Sequence, residues 1–322
     1  MKKILVTGSN GYIGNALVLA LLNRKKEFTV RAAARRGSIL NSKSFETVRL
    51  GPDYVEAFKG CDVLIHCASR GSMRGHEGWL DEAALHRINV LGTVHMAREA
   101  HRAGISRFIF LSSLQVNGPE TPAGKRFYAD SLPRPKSPIG KALLEAEKEL
   151  IRVGDETGME IVIVRPPLIY GPDCQNLFGE VKIMVDYCLP LPLRSCKRNH
   201  RSLVGIDNLV DFLICCATHP DAANETFLVS DGEDLSTLNI FKLLAKTHHR
   251  PCLLWPFPPI LVRLFNSYIG RQAWEEFFFQ SQVADIHKAQ LVLGWTPPLS
   301  VEQSFRRSWD ENFYLGSHTS SK

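Results

Sequence analysis

Short uninterrupted apolar runs alternate with longer stretches of 3.6-residue periodicity through the first half of the chain. Lys3–Thr7, Thr29–Ala34, Asp62–His66, Arg107–Leu111 and Glu160–Val164 read as strands buried on both faces, and Tyr12–Asn23, Asp81–Ala103 and Ile139–Val153 as amphipathic helices. Strands and helices in strict alternation predict an α/β fold with a doubly wound parallel sheet of the Rossmann kind. After Arg165-Pro166-Pro167 the pattern becomes irregular, and prolines cluster at 190–192, 251–259 and 297–298. The expected organisation is a Rossmann domain over 1–166, with 205–220 returning to it, then a smaller C-terminal substrate-binding lobe occupying most of 167–315. A polar tail, 316–322, is expected to fray.

Composition narrows the classes. The chain has 322 residues, of which 44% are hydrophobic and 22% charged, which is ordinary for a globular protein. The formal net charge is +6, but no basic stripe interleaves with aromatics, so no nucleic-acid partner is expected. None of the eight cysteines forms a C-x-x-C pair, so no metal site is expected; reduced thiols and the absence of a signal-peptide core lead to the expectation of a cytoplasmic protein. The most apolar stretch, Leu253–Phe265, is interrupted by prolines and Arg263 and is too short to span a membrane. It reads as core or cleft wall, with an amphipathic surface contact as the alternative.

The chemistry-bearing motif is Thr7-Gly8-Ser9-Asn10-Gly11-Tyr12-Ile13-Gly14, set between the first strand and the first helix. In this G-x-x-G-x-x-G spacing Gly8 permits a tight turn, Gly11 lets backbone approach a pyrophosphate, and Gly14 allows close packing of helix on strand. The helix N-terminus then offers N–H groups and a positive dipole end to phosphates. The cofactor expected here is a nicotinamide dinucleotide. The second strand ends Ala34-Arg35-Arg36 where an NAD site usually carries an acid; the Arg35 guanidinium suits a 2′-phosphate, so NADP is preferred to NAD.

Further motifs follow at fixed places: His66-Cys67-Ala68-Ser69-Arg70, Asn89-Val90-Leu91-Gly92-Thr93, Leu111 to Gly118, Arg165 to Pro172, Arg201 to Asn208, and Leu293-Gly294-Trp295-Thr296-Pro297. With these the chain resembles the extended short-chain dehydrogenase/reductases, in particular the NAD-dependent epimerase/dehydratase family that includes UDP-glucose 4-epimerase. The resemblance implies cofactor contacts at Gly8, Asn10, Gly11, Tyr12, Ile13, Gly14, Arg35, Cys67, Ala68 and Asn89. It implies substrate contacts at Asn176, Arg201 and Asp285, a UDP-hexose as ligand, and a homodimer formed through Asp81–Ala103 and Ile139–Val153. The small residues Ala97, Ala100 and Ala103 would allow close packing there, although burial in the chain's own core gives the same pattern.

The resemblance breaks at its catalytic centre. The family carries a Tyr and, four residues later, a Lys that lowers the phenol's pKa for proton transfer. Here Ser137-Pro138-Ile139-Gly140-Lys141-Ala142-Leu143 puts Ile139 and Leu143 at those two positions. Ser113 remains where the family's Ser/Thr stands. Tyr128, in the preceding loop, is the candidate to assist it. Leu50-Gly51-Pro52-Asp53 also departs from the family's adenine-side pattern. Two readings stay open: a nucleotide-sugar epimerase or ketoreductase with an altered proton relay, and a catalytically silent protein that binds cofactor and nucleotide sugar.

Overall fold

The computed structural model describes residues 1–34, 46–49, 54–68, 81–189, 197–255 and 272–310. Seven parallel strands form the main sheet in the order β3-β2-β1-β4-β5-β6-β9. They are β1 (Lys2–Thr7), β2 (Phe28–Ala34), β3 (Glu46–Arg49), β4 (Val63–His66), β5 (Arg107–Leu111), β6 (Glu160–Arg165) and β9 (Thr226–Leu228). Between β6 and β9 the chain adds β7 (Leu168–Tyr170) and β8 (Arg201–Gly205), which with β10 (Asp234–Leu235) make a small second sheet. The chain reverses direction across the sheet between β1 and β4, the crevice where ligands of open α/β sheets bind.

Successive strand residues feed opposite cores. Ile4 and Val6 face a cluster with α1 (Tyr12–Asn23), whereas Leu5 joins the cluster on the other face. The first cluster is completed by helix α7 (Ile206–Thr218) and by α10 (His287–Leu293). The second is covered by a long helix in three parts and by α5 (Pro138–Thr157). The three parts are α3 (Glu82–Leu85), a π-helical turn at His86–Leu91, and α4 (Gly92–Arg102). The remaining helices are the short α2 (Val55–Phe58), then α6 (Leu177–Asp186), α8 (Thr237–Thr247), α9 (Gln272–Phe279) and α11 (Val301–Arg307). The last four pack around Phe178, Phe241, Phe277 and Phe305 in a third cluster, the core of the C-terminal lobe.

Two features tie the lobe to the sheet. Trp295 stacks edge-on against Phe212 of α7 at 4.8 Å and donates its indole N–H to Asp211 at 3.0 Å. Residues 281–285 run as a strap between β8 and the 118–136 loop: Ser202 N–H donates to Gln282 O (2.9 Å), and Phe127 N–H donates to Val283 O (2.7 Å). The return to the main sheet extends beyond 205–220, because β9 at 226–228 forms its edge.

Ala97 and Ala100 are buried in the protein's own second core cluster, and Ala103 packs against it. The alanine stripe is therefore intramolecular packing. Among the described residues no helix is long and apolar enough to cross a membrane, and no His/Cys/Asp/Glu group has metal-binding geometry.

Candidate functional site

The glycine turn closes tightly on its surroundings. Gly8 has φ +72°, and a Cβ there would lie 2.8 Å from the backbone nitrogen of Ala68. Only glycine meets both demands. A Cβ on Gly14 would collide with the carbonyl oxygen of Gly8. Gly11 differs: its φ is −81°, it is the N-cap of α1, no side chain caps the helix there, and its N–H donates to Gly8 O at 2.8 Å. The helix therefore presents its N-terminus uncapped beside a turn that glycine keeps open, which fits an anionic pyrophosphate. Ser9 is not part of that opening, since its hydroxyl donates to Ala33 O at 3.1 Å and holds the turn to β2. Tyr12 and Ile13 pack against the first core cluster, and Asn10 lies in the turn beside them. Arg35, Leu50, Gly51, Pro52 and Asp53 lie outside the described residues.

Across the crevice, β4 delivers Cys67 and Ala68. Cys67 N–H donates to Thr7 O at 3.2 Å, which extends the β1–β4 pairing by one residue. Burial pushes the Cys67 thiol up to about 12, so it is neutral and no proton acceptor near neutral pH. His66 is scaffold: its Nδ1 lies 2.7 Å from Thr7 Oγ1 and its Nε2 lies 3.3 Å from Thr93 Oγ1. Burial lowers its pKa to about 4, so the ring is neutral. Asn89 is buried in the π-helical turn, a distortion that recurs at functional sites.

At the end of β5, Ser113 is half-buried with extended backbone, and its hydroxyl accepts from Gln115 N–H at 3.2 Å. Gln115 was not singled out by sequence reasoning. Its Oε1 accepts from the Ser137 hydroxyl at 2.8 Å, and Ser137 caps α5 by accepting from Gly140 N–H at 3.0 Å. The N-terminus of α5 and the Ser113 loop are thus fixed to one another. Ile139 and Leu143, one turn apart on α5, both pack on the second core cluster, and Leu143 is only 4% exposed. Lys141 between them faces solvent. Tyr128 is 51% exposed; its backbone carbonyl accepts from Asn117 Nδ2 at 3.1 Å and its N–H donates to Ser131 Oγ at 2.8 Å.

Beneath this layer lies a buried polar network that the sequence pattern did not announce. Glu147 of α5 accepts from Arg165 at 3.0 Å and 2.5 Å and from the Ser112 hydroxyl, and Arg165 also donates to Asn117 Oδ1 at 3.2 Å. The signal was present: Glu147 is the one acid on the α5 face that otherwise buries Ala142, Leu143, Ala146, Leu150 and Val153.

The lobe side is mixed. Arg201 is 7% exposed and bonds only uncharged groups, Glu276 O at 2.7 Å, Gln280 O at 3.3 Å and Gln282 Oε1 at 3.4 Å. Its Nε is buried without a hydrogen-bond partner among the described residues, and burial lowers its pKa to about 10, leaving it a cation. Asn176 caps α6, accepting from Phe178 N–H at 2.9 Å and donating to Ile169 O at 2.6 Å. Asp285 accepts from His287 N–H at 2.8 Å at the start of α10. Tyr170 is fully buried and donates to Asp231 at 2.6 Å, which makes it part of the scaffold.

A parallel sheet whose first strand feeds a glycine turn and an uncapped helix defines a protein of the Rossmann dinucleotide-binding class. Residues 4–230 match the model of the NAD dependent epimerase/dehydratase family. The chain belongs to that family. It is 34% identical to a UDP-glucose 4-epimerase of Vibrio cholerae over 95% of this chain and 94% of that one. Among solved structures it is similar to MoeE5 in complex with UDP-glucose and NAD, with TM-score 0.75 and 22% identity over 98% of this chain and 99% of the other. It is similar also to UDP-glucuronic acid 4-epimerase from Bacillus cereus in complex with NAD, with TM-score 0.76 and 22% identity over 96% of each chain.

Proposed function

We propose that this chain binds a nicotinamide dinucleotide on its glycine turn and a UDP-hexose under its C-terminal lobe, and acts as an epimerase or ketoreductase with an altered proton relay. The observation that carries the proposal is the intact binding frame: Gly8 and Gly14 are both sterically required, and the α1 N-terminus beside them has no side-chain cap. Asn10, Gly11, Tyr12, Ile13, Cys67, Ala68 and Asn89 complete the cofactor side. The dinucleotide supplies the hydride acceptor and donor. NADP is preferred to NAD because Arg35 follows β2. The ligands named for the similar solved structures, UDP-glucose and NAD, support the pairing of cofactor and sugar.

Arg201 supports a diphosphate in the lobe, because it is a buried cation whose hydrogen bonds go to uncharged oxygens and whose Nε has no partner among the described residues, with only the charge of Glu276 acting on it. Asn176 and Asp285 flank that side of the cleft. Ser113 hydrogen-bonds the sugar hydroxyl, and Tyr128 on the adjacent loop takes part in moving its proton. A homodimer through the outward faces of Asp81–Ala103 and Ile139–Val153 completes the proposal, supported by exposed Leu91 in the π-helical turn and Ile151 on α5.

The second reading is a binding protein without turnover. Leu143 favours it, because a core-packed aliphatic stands where the family's relay carries a cation. Interconversion of UDP-galactose and UDP-glucose, with NAD or NADP added, separates the two. The altered relay predicts turnover by the wild-type chain that Ser113→Ala abolishes. No turnover by wild type, with turnover gained by Ile139→Tyr combined with Leu143→Lys, overturns it in favour of the silent protein.

A further inference from the structure

Helices α6 and α8 end side by side in the lobe, and each closes with the same pair of backbone bonds. At α6, Leu189 N–H donates to Met184 O at 3.0 Å and Cys188 N–H to Val185 O at 3.0 Å. At α8, Arg250 N–H donates to Ala245 O at 2.9 Å and His249 N–H to Lys246 O at 3.3 Å. The residue at each turn is left-handed, with φ +51° at Cys188 and +52° at His249, where glycine is the usual occupant. One carboxylate ties the two ends together: Asp186 accepts from Arg250 at 2.9 Å and lies 3.2 Å from His248 Nε2.

Two residues beyond each member of the Asp186–Arg250 pair stands a cysteine, Cys188 on one segment and Cys252 on the other. Both line one cavity between the helix ends, together with Met184, Phe241, Ala245 and Leu254. The cavity is about 10 Å³, room for no more than one water, so its walls stand close together. Both thiols are half-buried, which leaves them open to a small reagent. The Cys188 thiol leans back on Asp186 O at 3.8 Å, a weak contact that a change of χ1 releases. Of the remaining described cysteines, Cys61, Cys174 and Cys216 are buried, and Cys67 and Cys215 pack against the first core cluster.

We propose that Cys188 and Cys252 are a reversible redox site, joined as a disulfide by exchange with a low-molecular-weight disulfide. One cysteine thiolate attacks a sulfur of the small disulfide and expels a small thiolate, leaving a mixed disulfide on the protein. The thiolate of the second cysteine attacks the protein sulfur of that bond and expels the other small thiolate. Two protein thiols are oxidised, one small disulfide is reduced, and the two protons go to the released thiolates. The bond staples the end of α6 to the chain after α8 and closes β8, α7, β9 and α8 into one loop. It lies in the lobe, apart from the glycine turn, so it holds whether or not the cleft turns over sugar.

The test is equilibration of the folded full chain in buffers of reduced and oxidised glutathione, quenching with N-ethylmaleimide, and peptide mapping by mass spectrometry without reduction. The expected result is a peptide pair joined through Cys188 and Cys252, rising at least ~5-fold from the most reducing to the most oxidising buffer and removed by dithiothreitol. Cys188→Ser is expected to abolish the pair and leave Cys252 carrying glutathione, whereas Cys215→Ser leaves the pair intact. The wild-type map decides by itself if circular dichroism shows that a variant is unfolded. Glutathione carried separately on Cys188 and Cys252 of the wild type, a bridge from either one to Cys196, or free thiols at both positions in the most oxidising buffer overturns the proposal. So does a bridge that forms only in urea, because the folded lobe then holds the two thiols apart.

Discussion

Single residues in this protein do their work through burial. His66 shows it most simply. Its ring is locked between Thr7 and Thr93, and burial lowers its pKa to about 4 from an ordinary 6.5. In the unfolded chain the ring takes up a proton as pH falls through 6.5, while in the folded protein it resists until about 4. The stabilisation is therefore fully present above 6.5 and drains away as pH falls toward 4. Between neutrality and pH about 5 the loss attributable to this residue is about 2 kcal/mol. Urea unfolding at the two pH values, for wild type and His66→Gln, measures it; the variant is expected to show a correspondingly flatter dependence, and equal slopes contradict the assignment. Leu143 is the opposite case, an aliphatic side chain that its place in the second core cluster accounts for without any titration.

At the scale of elements, the Glu147–Arg165 pair joins α5 to β6 below the loop that carries Ser113. Both side chains are almost wholly buried, and neither has water to fall back on. Removing one partner leaves an uncompensated charge, so Glu147→Ala is expected to destabilise the fold by about 3–5 kcal/mol. Replacing both, with Glu147→Leu and Arg165→Met, is expected to recover much of that loss. Denaturant melts of the single and double variants check the prediction, and a single variant as stable as wild type refutes it. Much at this scale was legible beforehand. Tyr12–Asn23 and Arg107–Leu111 appear with the expected bounds, because apolar runs fenced by glycines and polar residues fix both period and ends. The interior of the long helix was not legible. Asp81–Ala103 reads as one continuous helix, but the π-helical turn at His86–Leu91 interrupts it, and no local propensity marks a shift in hydrogen-bond register. The 281–285 strap was equally hidden, since its bonds run to β8 and to the Phe127 loop, far away in sequence.

For the whole molecule, the alternation of strands with helices and the place of the glycine turn follow from sequence because each depends on short local segments. The cleft does not, because it is assembled from the ends of β1, β4 and β5, the α5 N-terminus and the lobe. Arg201 illustrates the gap: sequence suggested an arginine facing phosphate, whereas its burial, its carbonyl partners and its orphaned Nε belong to the tertiary structure alone. The central claim is that the Gly8–Gly14 turn holds a dinucleotide, and one substitution separates that role from folding. Gly11 has an ordinary backbone conformation and caps α1, and an added Cβ would lie 3.1 Å from Gly8 O, so Gly11→Asp supplies an N-cap at a modest steric cost while placing a carboxylate where the pyrophosphate would lie. The deciding measurement is calorimetric titration of NADPH and NADH into the wild-type and Gly11→Asp chains, with melting temperatures recorded for both. The account predicts binding by wild type, tighter for NADPH, and affinity reduced at least ~10-fold in a variant that still melts cooperatively. Absence of binding by wild type, or equal affinity in the variant, contradicts it.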